Sequence, residues 1–305
     1  MPNVRKIIIV ISCLLMVTGC SQRNNNKASQ QCEESKVVIG SFVDIPAGEY
    51  AQTAIPIYSE ERITGKNKVK GFQIQSHEVT VGQFTEFVEA TGYITELERS
   101  FVENNPQAGT ASFTTTNGDK ESQGQWSFDR VSNWQIGPTA LADYPVVHIT
   151  YNDALAYAKW IGGRLPTETE WEYVSWLGLS DKSNQTSGAF DKDGKPIANT
   201  WQGLFPVVDQ GEDGFKGVAP VGCFKPNELG MFDMIGNVWE WTSTSASDKT
   251  HTIKGGSFLC APNFCGRYRP AARQYQESDF STNHIGFRVV REKIANSLLR
   301  RQIKI

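Results

Sequence analysis

Three segments of the chain repeat apolar residues with the period of an α-helix, and each begins with a threonine that fits a helix N-cap. In the first and third segments Gln or Glu follows three residues later, which is the capping-box pattern. Glycines follow the first two segments and are typical of helix ends. The pattern therefore predicts three helices that begin after Thr80, Thr150 and Thr167, the first ending near Gly92 and the second at Gly162-Gly163.

Two other stretches have strand-like apolar runs broken by Gly and Pro, at residues 37–50 and 70–80. Residues 100–140 and 180–236 follow neither period, are rich in small polar residues, and are predicted to be long surface loops. A domain with this much irregular chain usually needs bound ligands or dense aromatic packing. We find no internal repeat and no boundary within residues 36–291, so we predict one loop-rich α+β domain.

The N-terminus has the pattern of an export signal, with Arg5 and Lys6 before an apolar run that ends at Val17-Thr18-Gly19-Cys20. Two interpretations are open: a bacterial lipobox with lipidation of Cys20, or an ordinary cleaved signal. The lipobox is favoured, which predicts a signal peptide over residues 1–19 and a lipid anchor in the cell envelope. Ser21 is compatible with sorting to the outer membrane.

Polar residues 20–35 have no apolar period and are predicted to form a flexible tether between the anchor and the domain. Residues 292–305 are predicted to be a basic amphipathic tail. Packing of this tail on its own domain is favoured over contact with an anionic membrane.

Composition agrees with a loop-rich domain, because 39% apolar residues, 16 Phe, 8 Trp and 27 Gly suit aromatic packing between turns. Without residues 1–19 the chain has 28 basic and 33 acidic residues, a net charge of −5. This balance gives no reason to expect nucleic-acid binding.

Four cysteines remain in the mature chain: Cys32, Cys223, Cys260 and Cys265. In an oxidising compartment they could form two disulfides. Because Cys32 lies in the polar tether, we predict that it is not part of a structural disulfide. The spacing of Cys260 and Cys265 leaves three alternatives open: a disulfide, half of a zinc site, or a two-thiolate site for a soft ion such as Cu(I).

Sequence motifs of the common hydrolases and nucleotide-binding sites are absent, and the four histidines are scattered. We therefore predict that these histidines are hydrogen-bonded structural residues. Residues 199–215 and 233–240 combine acidic or amide side chains with glycines, which suits a calcium site. Ordinary Asp-Gly turns and core tryptophans explain the same residues equally well.

Four motifs in fixed order resemble the formylglycine-generating enzymes, also called sulfatase-modifying factors, over residues 36–291. They are GGRLPTETEWEY (162–173), FDMIGNVWEWT (232–242), KGGSFLCAPNFCGRYRPAARQ (254–274) and HIGFRVV (284–290). The resemblance implies an irregular α+β fold related to the C-type lectins. It also implies oxidation of a cysteine in a CxPxR-type sequence to Cα-formylglycine by O₂. The implied partners are an unfolded or extended sulfatase polypeptide and a thiol reductant.

The resemblance assigns Cys260 and Cys265 as the catalytic pair that binds copper, Cu(I) or Cu(II), with the Cu(I) form held by two thiolates in near-linear geometry. Ser257 matches a serine beside the family's active site that positions the substrate thiol or a water. Arg267, Arg269 and Arg273 are interpreted as structural ion-pairing residues.

Calcium is also implied by the resemblance, at two structural sites. The first consists of Asn199, Thr200, Asp213 and Phe215, and the second of Asp233, Gly236, Val238 and Glu240, with main-chain carbonyls contributed by Thr200, Phe215, Gly236 and Val238.

Several positions depart from the family pattern. The cysteines of the structural disulfides known in animal members have no counterparts near Ala158, Ser175, Pro270 and Val289. Segment 133–140 lacks the family's usual arginine and histidine, which affects the expected specificity. Phe264 stands where a tyrosine is common.

The sequence thus supports a copper-dependent formylglycine-generating oxidase that acts on exported sulfatases. The alternative is a non-catalytic lipoprotein of the same superfamily, which serves as a structural or binding module. A third option, the sulfoxide synthases, requires a histidine-rich iron site and an additional domain that this chain lacks.

Overall fold

The computed structural model describes residues 32, 37–51, 56–61, 65–103, 105, 108–114, 124–137, 139–179 and 188–293. The helices in this part are α1 (Val81–Thr91), α2 (Glu96–Val102), α3 (Tyr151–Trp160) and α4 (Glu168–Leu177). The strands are β1 (Phe42–Ile45), β2 (Gly48–Ala51), β3 (Lys66–Val69), β4 (Phe72–Gln75), β5 (Thr110–Thr114), β6 (Gln125–Asp129), β7 (Trp239–Ser247), β8 (Thr250–Lys254), β9 (Gln274–Glu277), β10 (Ile285–Gly286) and β11 (Val290–Glu292).

All three predicted helices are confirmed, as α1, α3 and α4. Each has a threonine N-cap whose hydroxyl accepts the backbone N–H of the third helical residue. The side chain of that residue accepts the backbone N–H of the threonine in return. Helix α1 ends at Gly92 in the left-handed conformation, as glycine permits. Helix α2 was not predicted, although Thr95 and Glu98 form the same capping box.

The strands form two main sheets and two separate hairpins. One sheet has the antiparallel order β1-β4-β11, and the other has the order β10-β7-β8-β9 with β10 parallel to β7. The predicted strand segments near the N-terminus are confirmed as β1, β2 and β4. Hairpins β2–β3 and β5–β6 stand outside these sheets.

The prediction that residues 100–140 form only loops was wrong, because this region contains hairpin β5–β6. Its strands pair Phe113 with Trp126, and the two rings are in edge contact at 5.3 Å. Cross-strand aromatic pairs of this kind stabilise a hairpin that apolar periodicity does not reveal. Described residues 188–236 contain no helix or strand, which confirms the loop prediction there.

Buried aromatic residues fill the space between these elements, as the composition predicts. The largest apolar cluster joins α1, α3 and the four-stranded sheet, and it includes Cys260 and Cys265. A second cluster packs α4 against the three-stranded sheet through Trp171. Four tryptophans are completely buried, and each removes about 150–250 Å² of surface from water.

Three of the motifs quoted above meet at one buried carboxylate. Glu240 accepts two hydrogen bonds of 2.7 Å from Arg288 and one of 2.8 Å from the indole of Trp171. Both charged side chains are completely buried. Removing one partner of such a pair costs about 3–5 kcal/mol, because the other charge is left unpaired.

Several predictions fall on residues outside the described part: the signal peptide, Cys20, most of the tether and the tail from residue 294. Within the described part no helix is both long and apolar enough to cross a membrane. The predicted domain boundaries stay predictions.

The prediction that Cys32 takes no part in a structural disulfide was wrong. Cys32 and Cys223 are bonded across 191 residues of sequence, and Cys223 is buried beside Ala219 and Phe224. Sequence reasoning missed this bond because the polar composition of a tether does not indicate which part of the folded domain its cysteine contacts. Val37 also packs against Gly222, where an added Cβ would lie 2.6 Å from the Val37 Cβ.

We expect Cys32→Ser and Cys223→Ser to destabilise the protein equally, by about 2–5 kcal/mol, because each opens a very long covalent loop. Urea unfolding of the oxidised proteins measures this loss. The double variant should be no less stable than either single variant, since all three lack the same bond. Equal stability of parent and variants would contradict the structural role of the disulfide.

Candidate active site

The two cysteines of segment 254–274 come together in one tight turn. Their Sγ atoms are 3.0 Å apart and are not bonded, although both cysteines are buried, with 1% and 7% of their surfaces exposed. The turn forms because Ala261 O accepts the N–H groups of both Phe264 and Cys265. The structure therefore contains two free thiols side by side. It does not contain the disulfide that was one of the predicted alternatives.

The two sulfurs differ in their acidity. The hydrogen bond from Cys260, aided by the N–H and the charge of Arg267, lowers the pKa of Cys265 to about 7. Burial raises the pKa of Cys260 well above its ordinary value. Cys265 is therefore the more readily ionised of the two, and a thiolate is both the nucleophilic and the metal-binding form.

A short segment that the sequence did not single out holds the chain after Cys265. The guanidinium of Arg267 lies 4.0 Å from the ring centre of Tyr58, and its Nε lies 2.6 Å from Glu60. Gly266 N–H donates to the Tyr58 hydroxyl over 3.0 Å, and Glu61 pairs with Arg269 in the interior. The predicted structural ion pairing of Arg267 and Arg269 is confirmed.

Arg273 is likewise an ion-pairing residue, as predicted. Its Nε lies 2.7 Å from Glu168, and a second nitrogen lies 3.4 Å from Glu172. Lys254, which is completely buried, pairs with the same Glu172 at 2.7 Å. These contacts tie the end of the cysteine segment to helix α4.

Ser257 is completely buried at the start of the cysteine turn. Its hydroxyl accepts the Leu259 N–H over 3.2 Å, and its carbonyl accepts the Cys260 N–H over 2.9 Å. The structure thus gives Ser257 a role in shaping the turn, and its predicted role towards substrate stays a prediction. Beside the turn, at Pro262 and Asn263, a pocket of about 390 Å³ opens next to Trp201 and Leu204.

The residues of the first predicted calcium site lie together; Asn199, Thr200 and Asp213 are buried, and Phe215 is partly buried. Asp213 accepts hydrogen bonds from the N–H groups of Thr200 and Phe215. The side-chain amide of Gln202 contacts both the Thr200 carbonyl and, over 2.8 Å, the Asp213 carboxylate. Gln202 was missed by sequence reasoning, and its nitrogen occupies the space between two oxygens that are predicted to bind calcium.

Asn199 and Asp213 differ in how their buried polar groups are compensated. Asn199 donates to the Gly217 carbonyl over 2.8 Å, which closes the loop around the site. Burial raises the pKa of Asp213 to about 6, and the charge of Asp209 adds to the rise. A bound cation would supply the missing compensation.

At the second predicted calcium site, the set of available carboxylates differs from the prediction. Both oxygens of Glu240 are already engaged by Arg288 and Trp171. Glu78, missed by sequence reasoning, is fully buried near Asp233, and within the described part its Oε2 has no hydrogen-bond partner. Burial, with repulsion from Asp233 and Glu240, raises the pKa of Glu78. In the sequence, Glu78 is the one acidic residue of segment 70–80.

Carbonyl oxygens would be needed to complete either cation site. Among the described residues, no three His, Cys, Asp or Glu side chains converge on one point where a metal ion could sit. Gly236 and Val238, predicted to contribute carbonyls, flank Asn237 in the chain. The predicted ligand sets therefore stay predictions, with Glu78 as an additional buried carboxylate at the second site.

Asn237 connects both cation loops to the cysteine segment. Its side-chain oxygen accepts from Asn199 and from Ala219 N–H, and its side-chain nitrogen donates to Glu78. Its own N–H donates to Asn199 O, and its carbonyl accepts the N–H of Phe258. Sequence reasoning missed this residue because an isolated Asn in a Gly-Asn turn looks like ordinary turn chemistry.

The four histidines are hydrogen-bonded structural residues, as predicted. The Nδ1 atoms of His148, His251 and His284 contact hydroxyl groups, and that of His77 contacts a backbone carbonyl. Burial lowers the pKa of His77 and His148 to about 4 and that of His284 to about 3. These three are therefore neutral at physiological pH.

Comparison with known proteins now decides the family. A family model described as a sulfatase-modifying factor enzyme 1-like domain matches residues 27–293. This chain belongs to that family. The resemblance inferred from the motifs is confirmed, and the loop-rich α+β fold agrees with it.

Relatives within the sulfatase-modifying factor family include active and inactive proteins. The formylglycine-generating enzyme of Mycobacterium tuberculosis is 38% identical over 307 residues, which cover 85% of this chain and 100% of that protein. The enzyme of the same name from Mus musculus is 36% identical, and the match covers 83% of this chain and 75% of the mouse protein. The inactive C-alpha-formylglycine-generating enzyme 2 of Bos taurus is 34% identical, covering 72% and 77%.

Among solved structures, PvdO from Pseudomonas aeruginosa has the same fold. Its TM-score is 0.57 at 22% sequence identity, and the match covers 82% of this chain and 94% of that one. At this identity the likeness supports the fold of this sulfatase-modifying factor family member and nothing about its chemistry.

The ionisation of Cys265 can be tested directly in chelator-treated protein. We expect an ultraviolet thiolate signal with a midpoint near pH 7, which the Cys265→Ser variant lacks. Arg267→Gln removes a cation beside the thiolate, so its midpoint should rise by about one pH unit, equivalent to 1.36 kcal/mol. Arg164→Gln removes an arginine that pairs with Glu170 and should leave the midpoint unchanged. An unchanged midpoint in Arg267→Gln would refute the electrostatic role of Arg267.

Proposed function

We propose that this protein is an oxidase that converts a cysteine in a CxPxR-type sequence of exported sulfatases to Cα-formylglycine. The observation that carries the proposal is the pair of buried, unbonded sulfurs 3.0 Å apart. Relatives named formylglycine-generating enzyme, 36–38% identical over most of the chain, support the same reaction.

Copper is the proposed cofactor, held by Cys260 and Cys265. Two thiolate donors without further nitrogen or oxygen ligands are soft and select Cu(I) over harder ions. When bound, copper supplies the redox chemistry that couples oxidation of the substrate to reduction of O₂. Cys265 offers its thiolate near neutral pH, Cys260 must release its proton on binding, and Arg267 keeps positive charge beside the pair.

The reaction balances with two equivalents of a thiol reductant. The substrate CH₂–SH group becomes CHO and releases H₂S, while O₂ and the hydrogen of two reductant thiols yield water and a disulfide. The substrate must reach the sulfurs as an extended chain, since both cysteines are buried. The pocket beside Pro262 and Asn263 supplies room for residues that neighbour the target cysteine.

We propose two further properties of the same protein. One is structural calcium at the two loops around Asp213 and Asp233, where buried carboxylates lack full compensation. The other is anchoring in the bacterial cell envelope, at the outer membrane, by a lipid on Cys20. Such a location would bring the enzyme to sulfatases on their export route.

A second candidate function is a non-catalytic binding module of the cell envelope. The inactive Bos taurus relative favours it, because this family includes proteins without the activity. The free cysteine pair argues for the oxidase instead, since a purely structural module does not need two buried unbonded thiols.

The oxidase proposal predicts that a CxPxR peptide, incubated with the protein, Cu(I), O₂ and a thiol, acquires the mass of the aldehyde product. Cys260→Ser and Cys265→Ser should each reduce the rate below about 1% of the parent, a loss of roughly 2.7 kcal/mol in transition-state stabilisation. Peptide mass spectrometry, with and without copper, measures the outcome. Arg164→Gln, which removes an ion pair with Glu170, should retain turnover. Undiminished turnover in both active-site variants would contradict the proposed role of the two cysteines.

The calcium proposal predicts a higher melting temperature in calcium than in EDTA, equivalent to about 2.7 kcal/mol at a hundredfold excess over Kd. Asp213→Asn keeps the side-chain shape but removes the charge, so one binding step should disappear from a calorimetric titration. Asp209→Asn is the matched control, because Asp209 is buried in the same loop and accepts only backbone N–H groups. Loss of the same step in both variants would contradict the assignment.

A further inference from the structure

Strand β6 is an edge strand whose outer side is unpaired within the described part of the chain. On its inner side β6 pairs with β5 over its full length. Strand β5 is covered on the other side by residues near Asn283, whose side-chain amide bonds both the N–H and the carbonyl of Phe113. Exposed edges present backbone donors and acceptors that bind another extended chain.

The same strand carries two large exposed apolar side chains on one face. Trp126 and Phe128 are 49% and 60% exposed and lie opposite Phe113 and Ala111 in the register. Alternate residues of a strand share a face, so the polar residues Gln125 and Ser127 point to the other side. Exposed aromatic residues on an open edge are typical of an interaction surface.

A chain of ring contacts leads from this face, through the buried Phe113, to the cysteine turn. Trp126 contacts Phe113, Phe113 stacks on Phe205, and Phe205 stacks on Phe264, with ring centres 5.3, 5.3 and 4.1 Å apart. Phe264 is 61% exposed and directly precedes Cys265. The exposed members of this surface, which we call the apolar strip, are Trp126, Phe128, Leu204, Val207, Val208 and Phe264.

The apolar strip and the strand edge are also joined through the backbone. Gly124 N–H, immediately before β6, donates to Pro206 O over 2.8 Å. This bond ties loop 204–208, with its exposed Leu204, Val207 and Val208, to the start of β6. Extended chain spans roughly 3.3–3.6 Å per residue, so about five residues would reach from Phe264 to Trp126.

We propose that β6 and the apolar strip bind the stretch of substrate polypeptide next to the target cysteine, as an added strand with alternating apolar side chains. This proposal rests on the proposed function. An extended chain fits because it satisfies the open edge with backbone hydrogen bonds and places every second side chain on the strip. The strip carries no charge, so it favours apolar flanking sequence, which an unfolded polypeptide exposes and a folded one buries.

Two labelled peptides test the proposal, both with Ser in place of the target cysteine so that binding is measured without turnover. One holds only the CxPxR-type segment, and the other adds about ten apolar-rich residues on each side, enough to span the strip at about 3.3 Å per residue. We expect Trp126→Ser/Phe128→Ser to weaken binding of the long peptide about tenfold, or about 1.4 kcal/mol, in fluorescence anisotropy. The Kd of the short peptide should not change.

Val38→Ser/Ile39→Ser is the matched control, since these apolar residues are 67% and 48% exposed away from β6, and it should leave both Kd values unchanged. Phe128→Ser alone guards against misfolding, because so exposed a side chain contributes little to the core. Hydrogen exchange should show protection of residues 125–129 when the long peptide binds.

Three results would overturn the proposal. One is an equal long-peptide Kd in the strip variant and the control, and another is binding without protection of β6. The third is a concentration-dependent dimer of the parent that the strip variant lacks, because a second copy would then be the occupant. Cysteine forms of the same two peptides separate the two proposals. If the parent oxidises the short cysteine peptide but binds the long serine peptide no more tightly than the short one, only this proposal fails. If neither cysteine peptide is oxidised, the proposed function fails as well.

Discussion

The hydrogen bonds of Asn237 are the interaction on which the geometry of the site depends. Its side chain joins Asn199, Ala219 and Glu78, and its carbonyl receives the first N–H of the cysteine turn region, from Phe258. Asn237 has a left-handed backbone (φ 54°), which Asn adopts more readily than most residues. Replacing it would leave several buried polar groups unpaired, each at about 1–3 kcal/mol. The two loops proposed to bind calcium and the cysteine turn are therefore one connected unit.

A second buried network holds that unit against the core. Glu240, three residues beyond Asn237, receives Arg288 and Trp171, which come from the last and first of the family motifs. Motifs that are more than a hundred residues apart in sequence thus serve one carboxylate. Much of the family's sequence signature outside the cysteine segment therefore supports the structure around the site.

The reactive groups themselves owe their properties to burial and to a few contacts. The turn holds Cys260 and Cys265 within hydrogen-bonding distance, and Tyr58 and Glu60 hold Arg267 beside them. The open aromatic surface that leads away from Phe264 contrasts with the buried sulfurs. This contrast fits an enzyme whose substrate is a polypeptide, because specificity can then come from contacts outside the buried centre.

The sequence by itself determined the three capped helices, the first strands, the irregular 188–236 region and the family. Capping boxes, apolar periods and contiguous motifs involve residues close together in the chain, so they can be recognised from the sequence alone. It did not determine hairpin β5–β6, the bond between Cys32 and Cys223, the role of Glu78, or the contact of Tyr58 and Glu60 with Arg267. Each of these joins residues that are far apart in the chain or depends on a buried environment. Only the tertiary structure decides them, because pairing, desolvation and charge compensation arise when distant segments pack together.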